Sequence, residues 1–142
     1  MKSFLIIGMG KFGHHICREL AKFDNEIVIA DIDENRMDDL LDCVISAKIG
    51  DCTREDVMRT FGVDNYDACY VCINDFEASL QITDLLHELG ARYIIALAAT
   101  NIHEKFLKKN GADMIVYPSR DIAERIAVSL SNDKIFDIIE FS

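Results

Sequence analysis

Gly8-Met9-Gly10-Lys11-Phe12-Gly13 is a G-x-G-x-x-G run, a pattern suited to holding a pyrophosphate. The first glycine permits a tight turn, and the second lets the backbone approach the phosphates. The third allows a helix to lie close to a strand. The run follows the apolar segment Phe4–Ile7 and precedes an amphipathic stretch carrying Phe12, Ile16 and Leu20, so it sits at a strand-to-helix turn. There the unpaired amides and positive dipole end of a helix face an anion, and Lys11 adds a cation. Asp31 lies eighteen residues after Gly13, at the end of a second apolar run. A carboxylate in that place accepts hydrogen bonds from a ribose diol and repels a 2′-phosphate, which favours NAD(H) or an adenosine nucleotide over NADP(H).

Further polar residues follow the other apolar runs. Ile32 and Arg36 come just after Asp31; Arg36 can receive a 2′-phosphate or form a surface ion pair, and the ion pair is the favoured reading. Asp33 is better suited to capping the next helix than to touching a ligand. Gly50-Asp51-Cys52-Thr53 closes the third run; Asp51 could meet an adenine edge, and Thr53 could cap a helix beginning at Arg54. Cys72 and Ile73 end the fourth run, with Asn74 and Asp75 next, and Ala98 ends the fifth. These turns belong to one crevice if every run is a strand of one parallel sheet, because such sheets bind ligands beyond their carboxyl ends.

Other reactive residue types lack partners at useful spacing. Cys69 and Cys72 form a C-x-x-C inside a strand, where positions three apart face opposite ways, so both read as buried apolar thiols. His14 and His15 are neighbours on a helix and do not share a face, while His87 and His103 have no acidic or cysteine partner at ligand spacing. No residue is nominated as catalytic or metal-ligating. Tyr93 and His103 are the nearest acid–base candidates should the chain instead be a small NAD-dependent oxidoreductase, or the cofactor half of one.

The elements that must position these residues repeat strand, helix, strand. Apolar runs fall at Phe4–Ile7, Ile27–Ala30, Cys43–Ile49, Cys69–Ile73, Tyr93–Ala98 and Met114–Tyr117, mostly apolar at consecutive positions, as in strands covered on both faces. Between the fourth and fifth, Ala78, Ile82, Leu85, Leu86 and Leu89 share one helical stripe. Phe61-Gly62, Leu89-Gly90 and Asn110-Gly111 read as helix ends stopped by glycine. The pattern predicts an α/β fold: a Rossmann-type, doubly wound, parallel six-stranded sheet of order 3-2-1-4-5-6.

With 142 residues, 50% of them hydrophobic and 28% charged, the chain supplies a single core and a soluble surface, which excludes a disordered chain. A formal charge of −10 with no basic stripe argues against nucleic acid, whose binding rests on Lys and Arg neutralising phosphates. No apolar run approaches the roughly 20 residues that span a bilayer, so no direct membrane insertion is expected. An odd count of five cysteines, without disulfide-framework spacing, suits a reducing cytoplasm. Residues 1–132 read as one nucleotide-binding lobe. Residues 133–142, with Ile135, Phe136, Ile138, Ile139 and Phe141, read as an apolar segment that links to a further lobe or packs on a partner.

Taken in order, these motifs resemble the RCK (KTN, Trk-A N-terminal) domains that regulate potassium channels and transporters. Gly8-x-Gly10-Lys11-Phe12-Gly13 is similar to the family's G-x-G-R/K-F-G loop, and Asp31-Ile32-Asp33 to its second-strand ending. Gly50-Asp51-Cys52-Thr53 resembles its G-D-A-T turn, and Leu107-x-x-x-Gly111-Ala112-Asp113 with Ile115 and Pro118 its later element. The resemblance implies a ligand-sensing domain that binds NAD(H), ATP, ADP or AMP. It implies a homodimer assembling into a ring, typically octameric, whose shape gates a potassium-transporting membrane subunit. The location implied is cytoplasmic, peripheral at the inner face of the membrane. The helix Asp121–Leu130 corresponds to the family's crossover helix, which makes Ile122, Ile126 and Leu130 interface residues. Two positions depart from the pattern: Leu97 stands where a basic residue often precedes the alanine, and Ser119 where several members carry an acidic residue. Both departures disfavour a triphosphate with metal and place NAD(H) first.

Overall fold

A computed structural model describes residues 1–132; the apolar segment 133–142 lies outside the described residues. Six parallel strands form one sheet: β1 (Lys2–Ile7), β2 (Asn25–Asp31), β3 (Ser46–Ile49), β4 (Ala68–Val71), β5 (Ile94–Leu97) and β6 (Met114–Val116). They are ordered β3-β2-β1-β4-β5-β6, the order that the alternation of runs predicts. The helices are α1 (Lys11–Ala21), α2 (Glu55–Arg59), α3 (Phe76–Glu88), α4 (Asn101–Lys109) and α5 (Pro118–Leu130). None of them is long and apolar enough to cross a membrane.

The pleat of β1 explains why its residues are apolar at consecutive positions. Leu5 and Ile7 enter a core with Val71, Ile82, Leu86 and Leu107 on one face of the sheet. Ile6 enters another with Cys17, Ile29, Leu40 and Cys72 on the opposite face. Cys69 and Cys72 divide between these two cores, so the C-x-x-C thiols lie on opposite faces, as their spacing predicts. Gly62, Gly90 and Gly111 all have positive φ, at 60°, 83° and 111°. Each supplies the left-handed turn that ends or follows a helical segment.

Three local expectations are corrected. The stretch between β2 and β3 holds two 3-10 turns, Glu34–Arg36 and Asp38–Leu40, instead of a helix. Buried Met37 and Leu40 are three apart, and a three-residue turn puts such positions on one side. Asp33 does cap the first of these turns, accepting the Asn35 N–H at 3.0 Å. The third strand starts at Ser46 and not at Cys43, since Cys43 and Val44 are apolar through packing beside α1. Helix α5 begins three residues before Asp121. Pro118 supplies a preset φ at the first helical position, and the Asp121 carboxylate accepts the Tyr117 N–H at 2.8 Å.

Candidate functional site

The carboxyl ends of β1, β2, β3 and β4 converge on a cleft of about 400 Å³, lined by Gly8, Gly10, Asp31, Ile32, Arg36, Asp51, Cys52, Thr53, Cys72, Ile73 and Asn74. A second cleft, of about 430 Å³, lies on the other side of the glycine loop. It is lined by Gly10, Lys11, Phe12, His15, Cys72, Asn74, Leu97, Ala98, Ala99, Pro118 and Ser119. Gly10, Cys72 and Asn74 belong to both. Of the candidate residues, only Met9 and Gly13 line neither cleft; they build the loop from behind.

The loop's construction explains each glycine. Gly8 has φ +98°, and a Cβ there would come within 2.6 Å of the Cys72 carbonyl oxygen at the end of β4. A Cβ on Gly13 would overlap the Gly8 carbonyl oxygen, so this glycine lets α1 close on the loop. At Gly10 a Cβ would meet nothing within 4 Å. That open space lies directly before the first turn of α1, which has no acidic residue and no side-chain cap. The amides of Lys11, Phe12 and Gly13 therefore have no intrahelical acceptor. An anionic pyrophosphate fits there.

Asp31 is 5% exposed. Its Oδ2 accepts the Met9 N–H at 2.7 Å, and its Oδ1 accepts the Asp33 N–H at 2.8 Å. Each oxygen keeps a lone pair for a ribose hydroxyl, and the bond to Met9 fixes the glycine loop relative to β2. Met9 thus acts through its backbone, and its side chain is buried. Arg36 pairs with Asp33, Nε to Oδ2 at 3.8 Å, and reaches Asp31 at 4.0 Å; this is the ion pair favoured from sequence.

After β3, Asp51 Oδ1 accepts both the Thr53 hydroxyl at 2.6 Å and the Thr53 N–H at 3.0 Å. The hydroxyl, then the N–H, hold the Asp51 carboxyl below the usual carboxylate range. Thr53 braces this turn; it does not cap α2, whose N-cap is Arg54 with no side-chain bond. Burial, with Asp51 and Asp31 adding to it, pushes the Cys52 thiol up to about 12, and burial does the same for Cys72. Both thiols stay protonated and shape the cleft without acting as nucleophiles.

Neither acid–base candidate faces a cleft with a free proton-transfer atom. Tyr93 precedes β5 at the amino end of the sheet. His103 is 2% exposed, and the Ala99 N–H donates to its Nδ1 at 3.1 Å. Its Nε2 therefore carries the proton and donates to Ser79 Oγ at 2.6 Å, which in turn donates to the Phe76 carbonyl. Burial pulls the imidazole below its ordinary 6.5. The fold binds the neutral ring, so this contribution is complete above 6.5 and is lost as pH falls below it. In urea unfolding, the stability advantage of the native chain over His103→Gln should shrink as pH is lowered from about 7 to about 5. Among the described residues no group of three or more His, Cys, Asp or Glu is placed to hold a metal.

Sequence reading missed His15, Ala99 and Pro118 in the second cleft, and Ala78 and Ile82 in the first. Ala78 and Ile82 carried a signal, since their stripe opens immediately after the turn at Asn74-Asp75. His15 carried none.

An all-parallel sheet that changes direction beside β1, with a glycine loop opening α1 and a buried carboxylate ending β2, defines a Rossmann-type domain. The TrkA-N domain family model matches residues 4–118, and the chain belongs to that family. It is 39% identical over 142 residues to the Ktr system potassium uptake protein C of Bacillus subtilis, covering 99% of this chain and 64% of the relative. It is 34% identical over 142 residues to the Ktr system potassium uptake protein A of the same organism, with the same coverage. The chain thus spans about two-thirds of the length of these curated relatives. Among solved structures, the TrkA-N domain of inner membrane protein ybaL from Escherichia coli superposes with TM-score 0.81 at 21% identity, covering 92% of this chain and 97% of that one. The GsuK channel bound to NAD gives 0.78 at 16%, covering 90% and 23%, and GsuK bound to ADP gives 0.75 at 16%, covering 92% and 35%. At these identities the likeness is one of fold.

Proposed function

We propose that this chain is the nucleotide-sensing lobe of a regulatory subunit of a potassium-uptake system, and not an enzyme. NAD(H) is its first-ranked ligand, followed by ATP, ADP and AMP. The observation that carries this reading is the pair of clefts meeting at Gly10. Two nucleoside halves joined by a pyrophosphate need two such spaces with backbone donors between them. The adenosine half takes the cleft with Asp31 and the Asp51–Thr53 turn. The second cleft offers Leu97 and Ser119 where the family has a basic and an acidic residue. Among the described residues, it holds no basic side chain beyond Lys11 of the glycine loop and His15, it offers no carboxylate for a metal beside a terminal phosphate, and it suits the ribose and carboxamide of a nicotinamide half. Homology to Ktr uptake proteins and the NAD- and ADP-bound structures of GsuK support the assignment.

The same reading makes the chain a homodimer that assembles into a ring, octameric in the family's usual form, docked on a potassium-transporting membrane subunit. It would be cytoplasmic and peripheral at the inner face of the membrane. A closed ring needs two different self-contacting surfaces on each subunit when its interfaces alternate. Helix α5 has no buried residue and exposes Ile122, Ile126, Val128 and Leu130. Arg120 ties its first turn to α4 through Glu104 at 2.6 Å, and none of the described residues buries its apolar side. A second apolar surface comes from Phe76 on α3 with Ile102 and Phe106 on α4. Nucleotide acts on such an assembly only by binding its two shapes with different affinity.

Two measurements test this. Ile126→Glu should leave the fold intact, because Ile126 is 51% exposed, while lowering the assembly mass seen by light scattering. Small-angle scattering of the assembled protein should change on adding NADH; identical profiles with and without nucleotide would overturn the sensor reading.

A further inference from the structure

His14 and His15 are neighbours on α1, yet they face different surroundings. His14 Nε2 donates to the Arg36 carbonyl at 2.6 Å and lies 3.6 Å from the Asp39 carboxylate, so it ties α1 to the turns after β2. Successive helix positions are turned by about 100°, and His15 lines the second cleft, with Lys11 one helical turn before it. Among the described residues, neither imidazole nitrogen of His15 has a hydrogen-bond or ion-pair partner. Asn74 and Ser119 enter the same cleft from the end of β4 and the start of α5, and their side chains likewise have no partner among the described residues. The two clefts also differ in charge. Asp31, Asp51 and Asp75 line the first, whereas no carboxylate of the described residues lines the second.

We propose that His15 is a specificity-determining residue: it reads the second nucleoside of a dinucleotide, and AMP and ADP stop short of it. This role depends on the dinucleotide reading of the two clefts. The α1 amides that cradle a pyrophosphate belong to residues 11–13, and Lys11 stands among them as a cation for the phosphates. His15 is four residues further along, about 6 Å down the helix axis, so a ligand must continue past the pyrophosphate to meet it. What continues in NADH is a ribose diol and a carboxamide, groups that both donate and accept hydrogen bonds. A neutral imidazole matches them with one N–H donor and one bare acceptor nitrogen. Leu97, Ala98 and Ala99 give the cleft an apolar wall, so the polar groups fall to His15, Asn74 and Ser119. Asn74 lines both clefts and serves either half of the ligand, whereas His15 and Ser119 line only the second. Of these two, His15 has the longer reach.

The test is calorimetric titration of the full chain and of His15→Ala with NADH, ADP and AMP. His15 is exposed on a helix, where alanine is the better helix former, so the variant should melt no lower than the native chain. NADH affinity should fall about 3–10-fold, the loss of one hydrogen bond, while AMP and ADP affinities stay within about twofold. His15→Gln keeps a donor and an acceptor at similar reach and should recover most of the loss. Equal weakening of all three ligands in His15→Ala overturns the proposal, because His15 would then act through the glycine loop. A native chain that binds NADH no tighter than AMP overturns the dinucleotide reading and this role with it. A native preference for NADH that survives unchanged in His15→Ala overturns the role of His15 alone.

Discussion

Gly13→Ala and Gly10→Ala are expected to fail in different ways, and the difference separates scaffold from binding surface. At Gly13 an added methyl overlaps the Gly8 carbonyl oxygen, a backbone atom that cannot swing aside. Either α1 must move away from the sheet or the loop must shift. Overpacking of this kind costs about 1–3 kcal/mol and sometimes more. The displaced amides also lose their aim at the phosphates, so nucleotide affinity should fall by at least about 100-fold, together with a lower unfolding midpoint. At Gly10 the methyl meets no protein atom, and φ −73° with ψ −166° is backbone that alanine adopts readily. Stability should hardly change, while the methyl occupies the space through which the pyrophosphate reaches the α1 amides. Affinity should again fall by about 10–100-fold, the loss of one or two charge-assisted hydrogen bonds. Thermal unfolding paired with titration of each variant checks both halves.

Asp31→Ala has the second-largest expected effect. Removing the carboxylate strands the N–H groups of Met9 and Asp33, both of which it accepts. A buried donor left without a partner costs about 1–3 kcal/mol, so the unfolding midpoint should drop. The ribose diol loses its acceptor, and NADH affinity should fall about 10–100-fold. Exclusion of the 2′-phosphate should also relax, so NADPH should weaken less than NADH or gain. Competition between NADH and NADPH on native and variant protein measures this ratio directly. An unchanged ratio would remove Asp31 from the ribose site.

The sheet order was legible because a parallel strand covered on both faces must be apolar at consecutive positions, and β1, β2 and β5 are. The glycine stops were legible because only glycine takes the positive φ at Gly62, Gly90 and Gly111 without strain. Between β2 and β3 the alternation misled. Asp33 reads as the cap of a helix, yet the chain after it packs on α1 through turns of three residues. The first cleft could be read in large part, since its polar residues stand at strand ends already marked by apolar runs. The second was legible only in part. Its Gly10–Phe12, Cys72, Asn74 and Ala98 stand at marked turns, but His15, Ala99 and Pro118 join them only once the sheet exists.

The central claim is that the two clefts hold one dinucleotide. Calorimetric titration with NADH, NAD, ATP, ADP and AMP tests it most directly. The account predicts one site per chain, NADH or NAD binding more tightly than AMP because both halves are engaged, and ATP gaining little over ADP in the absence of a cation at Leu97. Failure of all five to bind would contradict it.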